Sequence, residues 1–192
     1  MGDRPARAAA TRQALALDPL SPFVHALAGL SCLVAGDLAE ALGLYDAGLA
    51  LDPNSVVNLW QSAVALHRLG RLDEAIRRHP RAVELGQRGP TMLAMLGHAL
   101  AAAGRADEAR AIRAEIEAAA ARGDVGPAVT LGLDIALGDE ALIEGTLRRS
   151  IRAGTGPTTL SAALVGDLGR LRTHPRLGPL AHRLSLLAKR PG

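Results

Sequence analysis

No segment of the chain alternates apolar and polar residues over the length of a strand, and no Asn-Gly or Asp-Gly hairpin turn is present. Apolar residues run instead in blocks that glycine and proline break at regular intervals. "GDLAEA" begins at Gly36, "GRLDEA" at Gly70, "GRADEA" at Gly104 and "GDEALI" at Gly138, a step of 34 residues each time. A second landmark keeps the same step, with "ALALDP" ending at Pro19 and "GLALDP" at Pro53. A helix fits between each proline and the next glycine, and another between that glycine and the next proline, so the repeating unit is a helical hairpin. Glycine just past a helix takes the left-handed conformation that turns the backbone, and Asp-Pro stops the second helix.

Signals inside the unit agree with this division. Asp37 and Asp139 follow the glycine and are candidate caps of the second helix, while Asp73, Glu74, Asp107 and Glu108 put negative charge in its first turn. Ala41, Ala75 and Ala109 recur at one phase, and Gly29, Ala63 and Gly97 at another, where small side chains let paired helices approach closely. A lone hairpin of this kind leaves an apolar face bare. Neighbouring hairpins must stack to cover it, which predicts a solenoid held by contacts between adjacent units.

Composition sharpens the helical reading. Apolar residues make up 48% of the chain but aromatics only 2%, and the apolar share is mostly Ala and Leu, the strongest helix formers. The formal charge is +3, and arginine supplies every basic residue except Lys189. Most of those arginines alternate with Asp and Glu along helices, so no nucleic-acid footprint is expected. The single cysteine, Cys32, lies in an apolar run and cannot form an internal disulfide; it reads as a small core residue. Charge fills the N-terminus where a secretory signal needs its apolar core, and the longest apolar runs fall short of the roughly 20 residues a membrane span requires. A cytoplasmic protein without a membrane segment is expected.

Little in the chain has the spacing of catalytic or metal chemistry. His25, His67, His79, His98, His174 and His182 never pair at i, i+3 or i+4, and no CxxC or HExxH spacing exists. "GDVGPAVTLG" from Gly123 lacks the Lys-Ser or Lys-Thr of a phosphate loop, and no serine stands in a GxSxG elbow. Acidic residues mostly occupy bends and exposed helix faces. The chain reads as a non-enzyme with no cofactor and no metal.

The 34-residue step, together with "LAGLSCLVAGDLAEALGLYDAGLALDP" and "LGHALAAAGRADEA", resembles the tetratricopeptide repeat, TPR. The small eighth residue of that pattern matches Gly29 and Gly97, the alanine at position twenty matches Ala41, Ala75 and Ala109, the aromatic at twenty-four matches Tyr45, and the proline at thirty-two matches Pro53. His79 and Arg113 depart from the aromatic, Gln87 from the proline, and Ile143 from the alanine. The resemblance implies an all-α, right-handed α–α superhelix: a half-hairpin at 4–19, repeats at about 22–55, 56–89, 90–123 and 124–157, and a closing helix at about 174–188. "LRTHPRLGPLAHRL" looks like the helix that closes TPR arrays in many bacterial multidomain regulators. The array begins in mid-unit, so the sequence is expected to be, or to descend from, the C-terminal part of a longer protein.

In that family the first helix of each hairpin lines a concave groove that binds a protein or peptide. The family's groove positions fall here on Phe23, Ala26, Leu30, Leu33 and Val34, on Val57, Trp60, Val64, His67 and Arg68, and on Thr91, Ala94, His98, Ala101 and Ala102. The expected partner-binding residues are Phe23, Leu30, Val57, Trp60, Val64, His67, Arg68 and His98. Both groove and core stay open for Trp60, one residue from the packing position of Leu59; for Phe23 the competing role is packing against the half-hairpin. Ala26, Leu30, Gln61, Thr91 and Met95 do not match the basic and amide residues of the TPR clamps that hold chaperone tails. The implied function is a protein-binding scaffold. The alternative is a regulatory or self-assembly module of a larger protein, in which the unfinished first hairpin would pair with a second copy or another domain. On the second helices, "RRHPR" at Arg77 to Arg81 and "LRR" at Leu147 to Arg149 would make either a basic stripe or a solvated face.

Overall fold

A computed structural model of the chain describes residues 4–154, 171 and 173–184. The ends of the fourth expected repeat (155–157) and of the closing helix (185–188) lie outside the described residues. Every regular element among the described residues is helical, with no strand. The chain divides into two compact units, Met1–Arg88 and Gly89–Gly192, with the division at the edge of the second expected repeat.

The first unit holds α1 (Arg4–Leu17), α2 (Pro22–Ala35), α3 (Leu38–Leu51), α4 (Val56–Arg68) and α5 (Leu72–Leu85). Helices α2 and α3 pack most extensively on each other, as do α4 and α5, and short links make each pair an antiparallel hairpin. Helix α4 also lies against α3 and α2, and α1 against α2. Ser21 caps α2 by accepting a hydrogen bond from the Val24 N–H at 3.3 Å, and Pro22 occupies the first turn, where a missing N–H costs nothing. Asp37 stands at the N-cap of α3, yet its side chain makes no capping hydrogen bond.

The second unit holds α6 (Pro90–Ala102), α7 (Ala106–Ala121), a 3-10 turn (Pro127–Thr130) that runs into α8 (Leu131–Leu137), α9 (Glu140–Ala153) and α10 (Leu177–Arg183). Helix α6 packs on α7 and α8, and α9 packs on the 3-10 turn, α8 and α10. Asp139 caps α9, its Oδ1 accepting from the N–H groups of Ala141 and Leu142 at 3.0 and 3.2 Å. Leu131, Ile135, Ile143, Leu147, Leu171, Leu177 and Ala181 form one buried cluster that ties α10 to α8 and α9. The first helix of this hairpin is shortened, because Gly126-Pro127 starts it late and the 3-10 turn takes up the first residues.

The 34-residue phase has a structural counterpart. Gly36, Gly70, Gly104 and Gly138 all adopt left-handed φ, at 87, 76, 78 and 71°, a region that costs a side-chain-bearing residue roughly 1 kcal/mol. Ala41, Ala75, Ala109 and Ile143 are all buried, and so are Tyr45, His79, Arg113 and Leu147 one turn further on. Gly29 is small because the Tyr45 ring lies over it, and a Cβ there would stand 2.3 Å from Tyr45 Cε1. Gln87, at the phase of Pro53, and its neighbour Arg88 also turn through left-handed φ, at 53 and 54°.

Candidate functional site

In the first unit, α4 is set against α2 by two polar contacts near their ends. Asn58 is buried over Gly48 and its amide donates to the Pro22 carbonyl at 2.8 Å and to Ser55 Oγ at 2.9 Å. At the other end, Arg68 Nη1 donates to the Leu33 carbonyl at 2.7 Å, in the last turn of α2, where helix carbonyls lack intrahelical donors. These bonds hold the two helices side by side and leave an uncharged face of α2 uncovered.

That face is apolar. Phe23, Leu27 and Val34 are 62, 51 and 59% exposed and lie with half-buried Leu30 at spacings of four, three and four residues, one side of a helix. Helix α2 contains no Asp, Glu, Lys or Arg, and the His25 ring bonds the Pro19 carbonyl at 3.0 Å. Leu17 and Leu20, in and after the last turn of α1, are exposed as well. On α4, Val57 is exposed, while Trp60, His67 and Arg68 are half-buried.

The expected groove residues therefore separate by burial. Phe23 and Val57 are open to solvent, Leu30, Trp60, His67 and Arg68 are partly so, and Val64 and His98 are buried and present little side chain to a partner. His98 lies on α6, in the second unit. Val64 is buried because α4 carries an unbroken buried run from Gln61 to Leu66. The Trp60 ring is partly in the interior, its Nε1 buried without a hydrogen-bond acceptor among the described residues. Burial pushes the His67 pKa down, which keeps its imidazole neutral at physiological pH. Leu27, Leu17 and Leu20 were not among the expected residues. Leu27 was recoverable from its place one turn beyond Phe23, on the same helix face.

The arginines of "RRHPR" do not stand free as a group. Arg78 pairs with Asp46 at 2.6 Å, and Arg81 pairs with Glu84 at 2.9 Å and donates to Asn54 at 2.8 Å. In the second unit a polar network fills the interior behind α7. Arg113, at the aromatic phase, donates from Nε to Oδ1 of fully buried Asp134 at 2.5 Å and pairs with Glu117 at 2.8 Å. Asp134 Oδ2 accepts from Thr146 at 2.7 Å and from Thr130 at 3.2 Å. Burial alone would pull the Arg113 pKa down, but its hydrogen bonds to Asp134 and Glu117 and their charges outweigh that and hold it above the ordinary value. Nothing in the sequence pointed to this network. Its members are joined only by folding.

Among the described residues, no group of three or more His, Cys, Asp or Glu side chains is placed to hold a metal ion, and no helix is long and apolar enough to cross a membrane. What the fold defines is an all-helical chain of packed hairpins with an exposed apolar face. No protein-family model matches it, and no curated protein does.

Proposed function

We propose that the chain is a non-enzymatic scaffold, a TPR-type right-handed superhelix acting in the cytoplasm, whose first-helix face takes up an apolar segment of another protein. The observation that carries this reading is the row Phe23, Leu27, Leu30 and Val34, exposed on a helix without fixed charge. Contiguous exposed apolar surface is uncommon on monomeric proteins and marks interaction sites, and a large ring desolvated in such a site contributes out of proportion to its area. Val57 continues the face onto α4, and Trp60, His67 and Arg68 supply its partly buried margin. A partner segment presenting leucine-like side chains at helical or extended spacing matches this surface; nucleic acid does not, since the face carries almost no charge to meet phosphates.

Affinity capture from cell extract, with wild type beside a Phe23→Asp, Leu27→Asp double variant, tests this. Both positions are exposed, so helicity and melting midpoint should stay within the small range of surface substitutions. The captured proteins should be lost from the variant. Capture of the same proteins by a folded variant would refute the assignment.

A second reading, a self-assembly or regulatory module, draws on Leu17 and Leu20, 79 and 75% exposed at the joint between α1 and α2. If a second copy covered them, sedimentation of the purified chain would show a dimer that Leu20→Asp converts to monomer.

A further inference from the structure

The second unit contains a cleft of about 560 Å3 between the C-terminal half of α7, the 3-10 turn and the end of α9. Small-molecule sites fall between roughly 300 and 1,000 Å3. Ala120, Pro127, Val129 and Ala153 give this one an apolar wall, and Glu117, Arg149 and Arg152 line the rest together with Thr130. Its floor is fixed: Thr130 is buried and tied through Asp134 to Arg113 and Thr146, so the cleft is formed before any ligand arrives.

Charge decides what it would hold. Arg113 is answered by Asp134, and Glu117 faces both Arg113 at 2.8 Å and Arg149 at 3.3 Å, so these two cations and two anions cancel. Arg149 uses only Nη2, towards Thr146 and Glu117, and its other donors meet no acceptor among the described residues. Arg152 makes no hydrogen bond or ion pair with any other described residue. Being three residues apart on α9, the two guanidinium groups are neighbours on one helix face. Each offers the planar fork of donors that matches a carboxylate. Among the described residues, the lining thus carries one cation without a counter-ion beside an apolar wall.

We propose that this cleft binds a small monoanionic carboxylic acid with an apolar body, the carboxylate between Arg149 and Arg152 and the body along Ala120, Pro127 and Val129. Glu117 on the same wall selects against a doubly charged phosphate, which it would repel.

Titration calorimetry of the full chain with octanoate and 3-phenylpropanoate tests the proposal, with acetate, octan-1-ol and octyl phosphate as comparison probes. At least one of the two acids should bind saturably at a single site. Acetate and octanol should each bind about tenfold or more weakly, because each lacks one half of the recognition. Arg152→Gln, at an exposed position, should weaken the acid by about tenfold, the usual worth of a charge-assisted hydrogen bond. Ala153→Trp should abolish binding by filling the cleft, and Glu40→Gln, at an exposed position of α3, should leave it unchanged. Failure of both acids to saturate, undiminished binding to folded Arg152→Gln, loss of binding in Glu40→Gln, or tighter binding of octyl phosphate would each overturn the assignment.

Discussion

At the scale of single residues, the small and large positions of the repeat meet where Tyr45 lies over Gly29. The ring is fully buried, and burial, then the neighbouring Cys32, push the phenol pKa up against a smaller opposing pull from Arg68. Two opposed effects decide what Gly29→Ala would do. Alanine is better than glycine inside a helix by about 1 kcal/mol, but its Cβ would lie 2.3 Å from Cε1 and 2.7 Å from Cδ1 of Tyr45, ring atoms with nowhere to swing in a packed interior. Overpacking of this kind costs about 1–3 kcal/mol, so a net loss is expected, read as a lower urea midpoint with unchanged slope. A midpoint equal to or above wild type would mean the ring is not held as described. This contact was legible, because glycine and an aromatic fell on the two matching phases of the repeat. The buried Arg113–Asp134 ion pair was not: Arg113 looked like a departure from the pattern, and Asp134 stands 21 residues away in a different hairpin. Sequence spacing identifies which residues share a phase but not which charged groups meet across elements, since that depends on the stacking itself.

At the scale of elements, the landmarks that punctuate the chain proved to be places where the backbone has few choices. A left-handed φ after a helix selects glycine, so the glycines at the 34-residue step mark where α2, α4, α6 and α8 end. Where the constraint is weaker the sequence was less informative: the 3-10 turn before α8 left no period to read in "GPAVT", and Asp37 and Asp139 looked alike although of the two only the Asp139 side chain caps its helix. Helix α5 carries the opposite kind of feature, a proline inside a helix rather than at its edge. Pro80 has no N–H for the Ile76 carbonyl four residues earlier, and its side chain is exposed, so replacing it removes no core contact. Proline is about 3 kcal/mol worse than alanine in a helix interior, while its stiffness in the unfolded chain returns about 0.4–1 kcal/mol. Pro80→Ala is therefore expected to stabilise the protein by roughly 1–3 kcal/mol, seen as a raised thermal midpoint. An unchanged or lowered midpoint would mean that the proline is itself required where it stands.

At the scale of the whole molecule, the chain divides between Arg88 and Gly89 into two compact units. The repeat loses one of its landmarks just before that division. At the phase where Pro53 closes the earlier hairpin stands Gln87, and it and Arg88 turn through left-handed φ without being glycine. Of the eight expected partner-binding residues, those on α2 and α4 fall in the first unit and His98 falls in the second, where it is buried. The spacing rule could place residues on first helices but could not tell exposed Phe23 from buried Val64, because burial depends on what lies against each helix rather than on its own period. Division into two units bears on how damage spreads. In repeat proteins stability is close to a sum of local terms, and regions open by themselves when few contacts bind them to the rest. Leu147 is fully buried in the cluster of α8, α9 and α10, so Leu147→Ala should cost about 2–5 kcal/mol there. Hydrogen exchange followed residue by residue should then show faster amides in α8, α9 and α10, with protection in α2 and α3 unchanged. Equal loss of protection in α2 and α3 would show that the two units open as one cooperative body, and that substitutions in one reach the binding face of the other.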